Sequence, residues 1–160
     1  QNTGVTWTTS GTGTFSGGST LTPTYDPSAA DIAAGSVTLT LTSTANAPCS
    51  DATSTMLLTI IPAATANAGS NDNVCEGSTY TLVGTSASQN TGVTWTTSGT
   101  GTFSGGNTLT PTYTPSTADI AVGNVTVTLT AIGNIPCGDA TSSMVLIINA
   151  TPTPGPIQHW

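Results

Sequence analysis

Apolar residues alternate with threonine along several stretches in the second half of the chain. A period of two places successive side chains on opposite faces of a β-strand. The pattern therefore predicts strands with one apolar face toward a core and one hydroxyl-bearing face toward solvent. The alternating apolar residues are Tyr80 and Leu82, Val93 and Trp95, and Val125, Val127 and Leu129.

The stretch 144–148 is uniformly apolar, so alternation alone cannot orient it. The similar stretch 56–60 has Thr59 where the first has Ile147, which places Ile147 on the wetter face. The residues expected in the core are Met144, Leu146 and Ile148. No helix start signal precedes a stretch of 3.6-residue period, and the prediction is an all-β fold.

The chain contains an internal repeat. The segment from Gln1 to Phe15 recurs unchanged from Gln89 to Phe103, a period of 88 residues. Residues 1–62 align without a gap on residues 89–150, with roughly three quarters of the positions identical. This period is too long for a solenoid and close to the length of an immunoglobulin-like (Ig-like) sandwich. We therefore predict tandem Ig-like β-sandwich domains.

The ends of the chain do not coincide with the ends of a repeat. We predict that residues 1–62 are the C-terminal part of an Ig-like domain whose first strands are missing. Residues 63–150 form the complete domain, and residues 151–160 are a linker, the start of a further repeat, or a donor segment. Because no initiator Met or signal sequence stands at Gln1, we expect a mature fragment or an excised piece of a longer protein.

Charge is almost absent from the composition. The chain has no Lys or Arg, 7 Asp and Glu and a single His, giving a formal net charge of −7. Phosphate clamps and nucleic-acid-binding faces need cations, so nucleic-acid binding is excluded. No apolar run reaches the ~18 residues that span a bilayer. Hydroxyl groups take the place of charges at the surface.

The intact copy combines several short motifs in a specific order. They are Val74-Cys75-Glu76-Gly77, Thr79-Tyr80-Thr81-Leu82, Val93-Thr94-Trp95, Gly99-Thr100-Gly101-Thr102-Phe103, Tyr113-Thr114-Pro115, Ala118-Asp119-Ile120-Ala121, the strand 125–130 and Pro136-Cys137. This order resembles the tandem Ig-like repeats, related in pattern to PKD domains, of very large secreted surface proteins of bacteria. The resemblance covers essentially the whole chain. It implies a sandwich of about seven strands used as a structural module in adhesins, stalks or fibres, without catalysis.

Two residue types in these motifs have a structural and a functional interpretation. Trp95 and its copy Trp7 suit the space between two sheets, whereas an exposed ring would stack on a ligand. Asp119 and its copy Asp31 are expected in a turn before a strand, with an Asx-type hydrogen bond to the local backbone. Calcium ligation by Asp119 is the alternative, but it needs several converging carboxylates.

Catalytic and metal-binding groups are scarce. The single His is His159, near the chain end, and three separated Cys with one His do not form a zinc motif. A pair of carboxylates, Asp119 and Asp139 with their copies Asp31 and Asp51, remains as a hypothetical hydrolase site. Duplicated positions fit structure better than a site built twice, so we predict no enzyme activity, no metal and no cofactor.

Three cysteines suggest a disulfide bond. Cys75 precedes the first well-defined strands and Cys137 follows the strand 125–130, so both are expected at loop ends of one sandwich. We predict a bond between them, worth about 4 kcal/mol in the chain-entropy model. Cys49 is the copy of Cys137, and its partner is expected outside this chain. The absence of Lys excludes Lys–Asn isopeptide crosslinks.

Glycosylation would explain how a nearly uncharged protein stays soluble. Asn124 and Asn149 satisfy the N-glycosylation sequon. Covalent glycans are expected on these residues or on the outward row of Thr126, Thr128 and Thr130. Bare threonine, favoured by β-propensity, is the alternative.

The first copy lacks the equivalent of residues 63–88, which predicts an exposed apolar groove and an open sheet edge. Either the natural chain continues upstream, or a neighbouring chain adds the missing strand. We expect end-to-end self-association between the tail of one chain and the incomplete domain of the next, which generates a filament. The assembly residues are Thr151, Pro152, Ile157 and Trp160.

Together these observations predict a structural repeat module of an extracellular bacterial fibre, stalk or adhesin, located outside the cell or on its surface. The alternative is a carbohydrate-binding module of a secreted protein, which would present exposed aromatic rings.

Overall fold

A computed structural model of the protein describes residues 2–152. The chain separates into two compact units, Gln1–Pro62 (unit 1) and Ala63–Trp160 (unit 2). Both units are built mainly of β-strands, which confirms the predicted all-β, Ig-like sandwich class.

The described residues of unit 2, 63–152, form nine strands and one short helix. Its elements are β6 (Thr65–Asn67), β7 (Asp72–Cys75), β8 (Tyr80–Thr81), β9 (Ser86–Ser88), β10 (Asn90–Thr97), β11 (Thr102–Ser104), β12 (Thr112–Thr114), α2 (Thr117–Val122), β13 (Asn124–Gly133) and β14 (Ala140–Asn149). One sheet has the order β10-β13-β14-β7, and a second has the order β11-β12-β8. β6 pairs with β9. These two sheets correspond to the C-F-G and D-E-B sheets of an Ig-like sandwich.

β7 pairs with the larger sheet in a different direction from the other strands. The pairs β10–β13 and β13–β14 are antiparallel, but β7 runs parallel to the last four residues of β14, with Leu146 opposite Asp72 and Asn149 opposite Cys75. Because β7 comes early in the domain and β14 ends it, this pairing ties the start of the domain to its end.

The core of unit 2 follows the alternation in its sequence. Burial alternates along β13, where Val125, Val127 and Leu129 are buried and the intervening threonines are half-buried. Met144, Leu146 and Ile148 of β14 are buried and Ile147 is exposed, as the comparison of the two copies predicted. The segment 63–88 supplies Ala68, Val74 and Leu82 to the same core.

The described residues of unit 1 form counterparts of β10 to β14 and of α2 in unit 2. Its elements are β1 (Asn2–Thr9), β2 (Thr14–Ser16), β3 (Thr24–Asp26), α1 (Ala29–Ala34), β4 (Ser36–Ala45) and β5 (Ala52–Thr59). They form a three-stranded sheet of order β1-β4-β5 and a hairpin of β2 and β3. These are the counterparts of β10-β13-β14 and of β11-β12 in unit 2.

Two short helices depart from the sequence prediction. α1 and α2 each span six residues, begin at a serine N-cap and end at a glycine in the left-handed region, with φ of 75° at Gly35 and 84° at Gly123. Six residues are too few to display a 3.6-residue period, which is why periodicity missed them. Ser116 and Asp119 have the spacing of a capping box, and this was the available signal.

Candidate functional site

The carboxylate of Asp119 in unit 2 accepts four hydrogen bonds. It lies in the first turn of α2, where the Ser116 side chain accepts a hydrogen bond from the Asp119 backbone N–H and the Asp119 carboxylate accepts one from the Ser116 N–H. The expected turn with a simple Asx bond is thus a capping box at a helix start. Asp119 is buried although it is charged.

Four groups from three elements converge on this carboxylate. Oδ1 accepts from the Thr100 N–H at 2.9 Å, and Oδ2 accepts from the Gly101 N–H at 2.9 Å and from the Tyr113 hydroxyl at 2.8 Å. The Ser116 N–H completes the set at 2.9 Å. We call these five residues the aspartate cluster. It joins the β10–β11 loop, β12 and the start of α2.

Two glycines of the Gly-Thr-Gly-Thr motif make this approach possible. A Cβ on Gly99 would collide with the Asp119 carboxylate and with Val125, and a Cβ on Gly101 would collide with the Tyr113 hydroxyl. The motif therefore provides backbone N–H donors at a position where the chain must pass close to the carboxylate.

Unit 1 contains the same cluster around Asp31. The Asp31 carboxylate accepts hydrogen bonds from the backbone N–H groups of Thr12, Gly13 and Ser28 and from the Tyr25 hydroxyl. Each partner occupies the position equivalent to one in unit 2. The cluster is thus built in the same way in both units.

Hydrogen bonding decides the ionisation of both carboxylates. Burial alone would raise the pKa of Asp119, but the N–H groups of Ser116 and Thr100 and the Tyr113 hydroxyl outweigh it and lower the pKa to about 2. The Thr12 N–H is the main cause that lowers the pKa of Asp31 well below its usual range. Both groups are ionised at neutral pH with their oxygens engaged, which suits a structural carboxylate better than a general acid or base.

The structure does not bring the hypothetical pair of carboxylates together. Asp119 lies just before β13, whereas Asp139 accepts a hydrogen bond from the N–H of Gly133 at the other end of that strand. Ten strand residues rise about 30 Å, far beyond the ~5–9.5 Å between the carboxylates of glycosidases. The hypothesis of a hydrolase site at Asp119 and Asp139 is therefore wrong on geometry.

Trp95 belongs to the core of unit 2, Trp7 is half-buried in unit 1, and Trp160 lies outside the described residues. Trp95 is buried, and its indole N–H donates to the Thr108 carbonyl at 3.0 Å. The rings of Trp95, Phe103 and Tyr113 form a row, with centroid distances of 6.2 Å from Trp95 to Phe103 and 4.9 Å from Phe103 to Tyr113. Trp7 of unit 1 donates in the same way to the Thr20 carbonyl. The aromatic row ends at the Tyr113 hydroxyl, so the core and the aspartate cluster are continuous.

The predicted disulfide bond between Cys75 and Cys137 is corrected by the strand pairing. Cys75 lies opposite Asn149 at the end of β14, whereas Cys137 lies in the turn before β14 begins at Ala140. The strand separates them by about 30 Å, and a disulfide needs Cα atoms within ~7 Å. No disulfide bond joins them. Cys49, in the equivalent turn of unit 1, is exposed.

The residues predicted to carry glycans occupy different environments. Asn124 and Asn149 are exposed at the start of β13 and at the end of β14. Thr126, Thr128 and Thr130 are half-buried, and the Thr128 hydroxyl bonds that of Ser143 at 2.8 Å.

The predicted assembly residues are described only in part. Thr151 donates its N–H to Glu76 at 2.9 Å, and Pro152 is exposed. Ile157 and Trp160 lie outside the described residues.

A concave site of about 280 Å³ lies on the segment that precedes β10, lined by residues of the range 67–84. Within it the Tyr80 hydroxyl donates to Asp72 at 2.8 Å. Burial and the bond to Asp72 raise the pKa of Tyr80 to about 12, so this hydroxyl stays protonated. Among residues 2–152 no group of three or more His, Cys, Asp or Glu side chains is placed to hold a metal ion.

The order of the strands in the two sheets of unit 2 defines the class of protein as an immunoglobulin-like β-sandwich. The sequence matches no protein-family model and no curated protein. Among solved structures, it is similar to protocadherin gamma B2 extracellular cadherin domains 3–6, with 12% identity, 91% of this chain and 41% of that chain covered, and a TM-score of 0.41. It is also similar to human protocadherin-24 EC1-2, with 10% identity, coverage of 92% and 83%, and a TM-score of 0.46. The chain thus spans less than half the length of the first of these structures.

In the part of the chain that is described, no helix has the length and apolar character needed to cross a membrane.

Proposed function

We propose that the protein is a structural repeat module of an extracellular bacterial fibre, stalk or adhesin, of the PKD-related Ig-like type that its motifs resemble. The observation that carries this proposal is the duplication of the aspartate cluster. The same buried carboxylate, the same two glycines and the same aromatic row recur 88 residues apart. A network whose polar atoms are consumed internally and which is repeated in each module serves the fold of that module.

The proposed role is mechanical and needs no catalytic group or cofactor. Modules of this kind join end to end and hold an adhesive or anchoring region away from the cell. The almost uncharged, threonine-rich surface supports the extracellular placement, since attached glycans at Asn124, Asn149 or the threonine row would keep such a surface soluble. The carbohydrate-binding alternative requires an exposed ring, and the buried Trp95 does not supply one, whereas Trp160 lies outside the described residues.

Protease treatment of intact cells of the native source tests the placement. Trypsin is unsuitable because the chain has no Lys or Arg, so a protease of broad specificity is required. Antibody detection should show loss of the chain from intact cells while a cytoplasmic marker survives. Protection of the chain in intact cells, with digestion only after lysis, would contradict the extracellular role.

A further inference from the structure

The concave site on the range 67–84 of unit 2, which we call the polar cavity, brings together chemistry that the aspartate cluster does not use. Its volume of about 280 Å³ lies just below the ~300–1,000 Å³ of sites for drug-sized ligands, so it suits one small molecule. The lining includes two amides, a carboxylate, an aromatic ring and an exposed aliphatic side chain, which belong to Asn67, Asn71, Asp72, Tyr80 and Val83.

Contacts within the domain hold the walls of the polar cavity in place. Gly69 has a φ of 85°, and a Cβ at this position would collide with the carbonyl oxygen of Val83. The two stretches of chain that form the walls therefore approach each other at a point where a side chain would not fit. The Val145 N–H donates to the Asn71 side chain at 2.8 Å, which ties one wall to β14.

The two asparagines present hydrogen-bond donors of fixed orientation. Asn71 accepts the Val145 N–H through Oδ1, and Asn67 accepts the Gly69 N–H through Oδ1 at 3.0 Å. Because an amide N–H₂ group cannot accept such a bond, each amide has only one orientation. Within residues 2–152 the structure gives neither N–H₂ group an acceptor, so both are available to a ligand.

Asp72 supplies the complementary acceptor. Its Oδ1 accepts the Asn73 N–H at 2.8 Å, and its Oδ2 accepts the Tyr80 hydroxyl at 2.8 Å. The Asn73 N–H, followed by the Tyr80 hydroxyl, holds the pKa of Asp72 below its usual range, so the carboxylate is ionised at neutral pH. A carboxylate has about four acceptor sites, and these two bonds leave about two for a ligand.

This combination favours a neutral ligand that carries both donors and acceptors. An ammonium group has donors only and would leave the amide N–H₂ groups unused. A phosphate or sulfate group would be repelled by the carboxylate of Asp72. A sugar hydroxyl both donates and accepts, and the apolar C–H face of a sugar ring suits the wall that Tyr80 and the exposed Val83 provide.

We propose that the polar cavity binds a single neutral pyranose ring. Asp72 accepts hydrogen bonds from the hydroxyl groups of the sugar, and Asn67 and Asn71 donate to their oxygens. The same ring chemistry is present in a free monosaccharide and at the end of a glycan chain. The site goes beyond the mechanical role proposed above and does not depend on it.

The test is an NMR titration of the isotope-labelled full-length protein with D-glucose, D-galactose, D-mannose and N-acetyl-D-glucosamine. Amide shifts within the range 67–84 should move and saturate with at least one of these sugars, with a Kd on the order of 1 mM for so few hydrogen bonds. The methyl glycoside of the same sugar imitates the end of a glycan chain. Binding of the glycoside assigns the site to chain ends, and binding of the free sugar alone assigns it to monosaccharides.

A steric block tests the location of the site. Val83 is 58% exposed, so Val83→Trp fills the polar cavity without disturbing the core and should weaken binding at least about tenfold. The matched control is Val122→Trp, since Val122 is 71% exposed at the end of α2, outside the cavity lining. This control should bind the sugar as the unsubstituted protein does.

A second pair of variants tests the acceptor. Asp72→Asn removes the charged acceptor and should weaken binding about tenfold, because hydrogen bonds to charged groups are the stronger ones. Asp139→Asn removes an exposed carboxylate elsewhere in unit 2 and should leave binding unchanged. Unaltered amide shifts outside the range 67–84 show that each variant keeps its fold.

Absence of saturable shifts with all four sugars, or equal binding by Val83→Trp and Val122→Trp, would overturn the proposal. Saturation by methylammonium chloride without binding of any sugar would also overturn it, in favour of a cation site at Asp72. None of these results alters the protease accessibility of the chain on intact cells, so the sugar site and the extracellular role are tested separately.

Discussion

Asp119 is a buried charged residue with a structural role in a chain that has few charged residues. Its carboxylate is enclosed by the aspartate cluster, and each of its oxygens accepts hydrogen bonds from the backbone. Hydrogen bonds to an ionised acceptor are stronger than those between neutral groups. A single residue therefore fixes the relative positions of a loop, a strand and a helix start.

We expect Asp119→Asn to destabilise unit 2 by about 3 kcal/mol, because an amide group would direct N–H donors toward the donors of the cluster. Urea unfolding followed by tryptophan fluorescence measures the effect. Asp139→Asn is the matched control, since Asp139 is exposed and accepts a single N–H bond, and it should cost about 1 kcal/mol or less. Equal losses for the two variants would contradict the structural role of the cluster.

The same carboxylate predicts a dependence of stability on pH. The pKa of Asp119 is about 2 in the folded domain and 3.8 in its ordinary state, so the unfolded chain binds more protons between these values. Its contribution is complete above about pH 4 and is lost as the pH falls through about 2. The urea midpoint of unit 2 should decrease over this range, and Asp119→Asn should show a smaller decrease. An unchanged pH dependence in the variant would assign the effect to other acids.

At the scale of elements, strand faces were predictable because alternation is a local property. β13 and β14 have the core faces that their sequences indicate, and Thr59 in the copy correctly identified the exposed side of Ile147. The cysteines were misjudged because their positions depend on a non-local pairing. Sequence places Cys75 and Cys137 at loop ends, but only the parallel pairing of β7 with β14 shows that these are opposite ends.

The aspartate cluster was predictable in part. Sequence singled out Asp119 and the Gly-Thr-Gly-Thr motif separately, and the capping-box spacing from Ser116 was visible. Nothing in the local sequence brings Thr100 and Tyr113 to the same carboxylate, because that contact depends on how the β10–β11 loop folds over α2.

The two last strands offer a matched pair of substitutions. Met144→Ala should cost about 2–5 kcal/mol, because it removes a buried side chain from a closed core. Met56→Ala, the same change on the exposed face of β5, should cost less than about 1 kcal/mol. Calorimetry of the full-length protein measures both, with hydrogen exchange assigning each transition to its unit. Similar costs for the two changes would indicate that the face of β5 is covered.

At the scale of the whole molecule, the two units repeat one set of interactions. Each combines an apolar face on its long strands, an aromatic row and a carboxylate bound by backbone N–H groups. In unit 2 the segment 63–88 adds Ala68, Val74 and Leu82 to the core.

Electron microscopy of the native assembly, isolated with an antibody against this chain, tests the central claim of a structural repeat most directly. Ten-residue strands such as β13 rise about 30 Å, so each module should add about 40 Å along the axis. The account predicts slender rods or strings of beads with this spacing. Isolated globular particles containing one or two domains would contradict it.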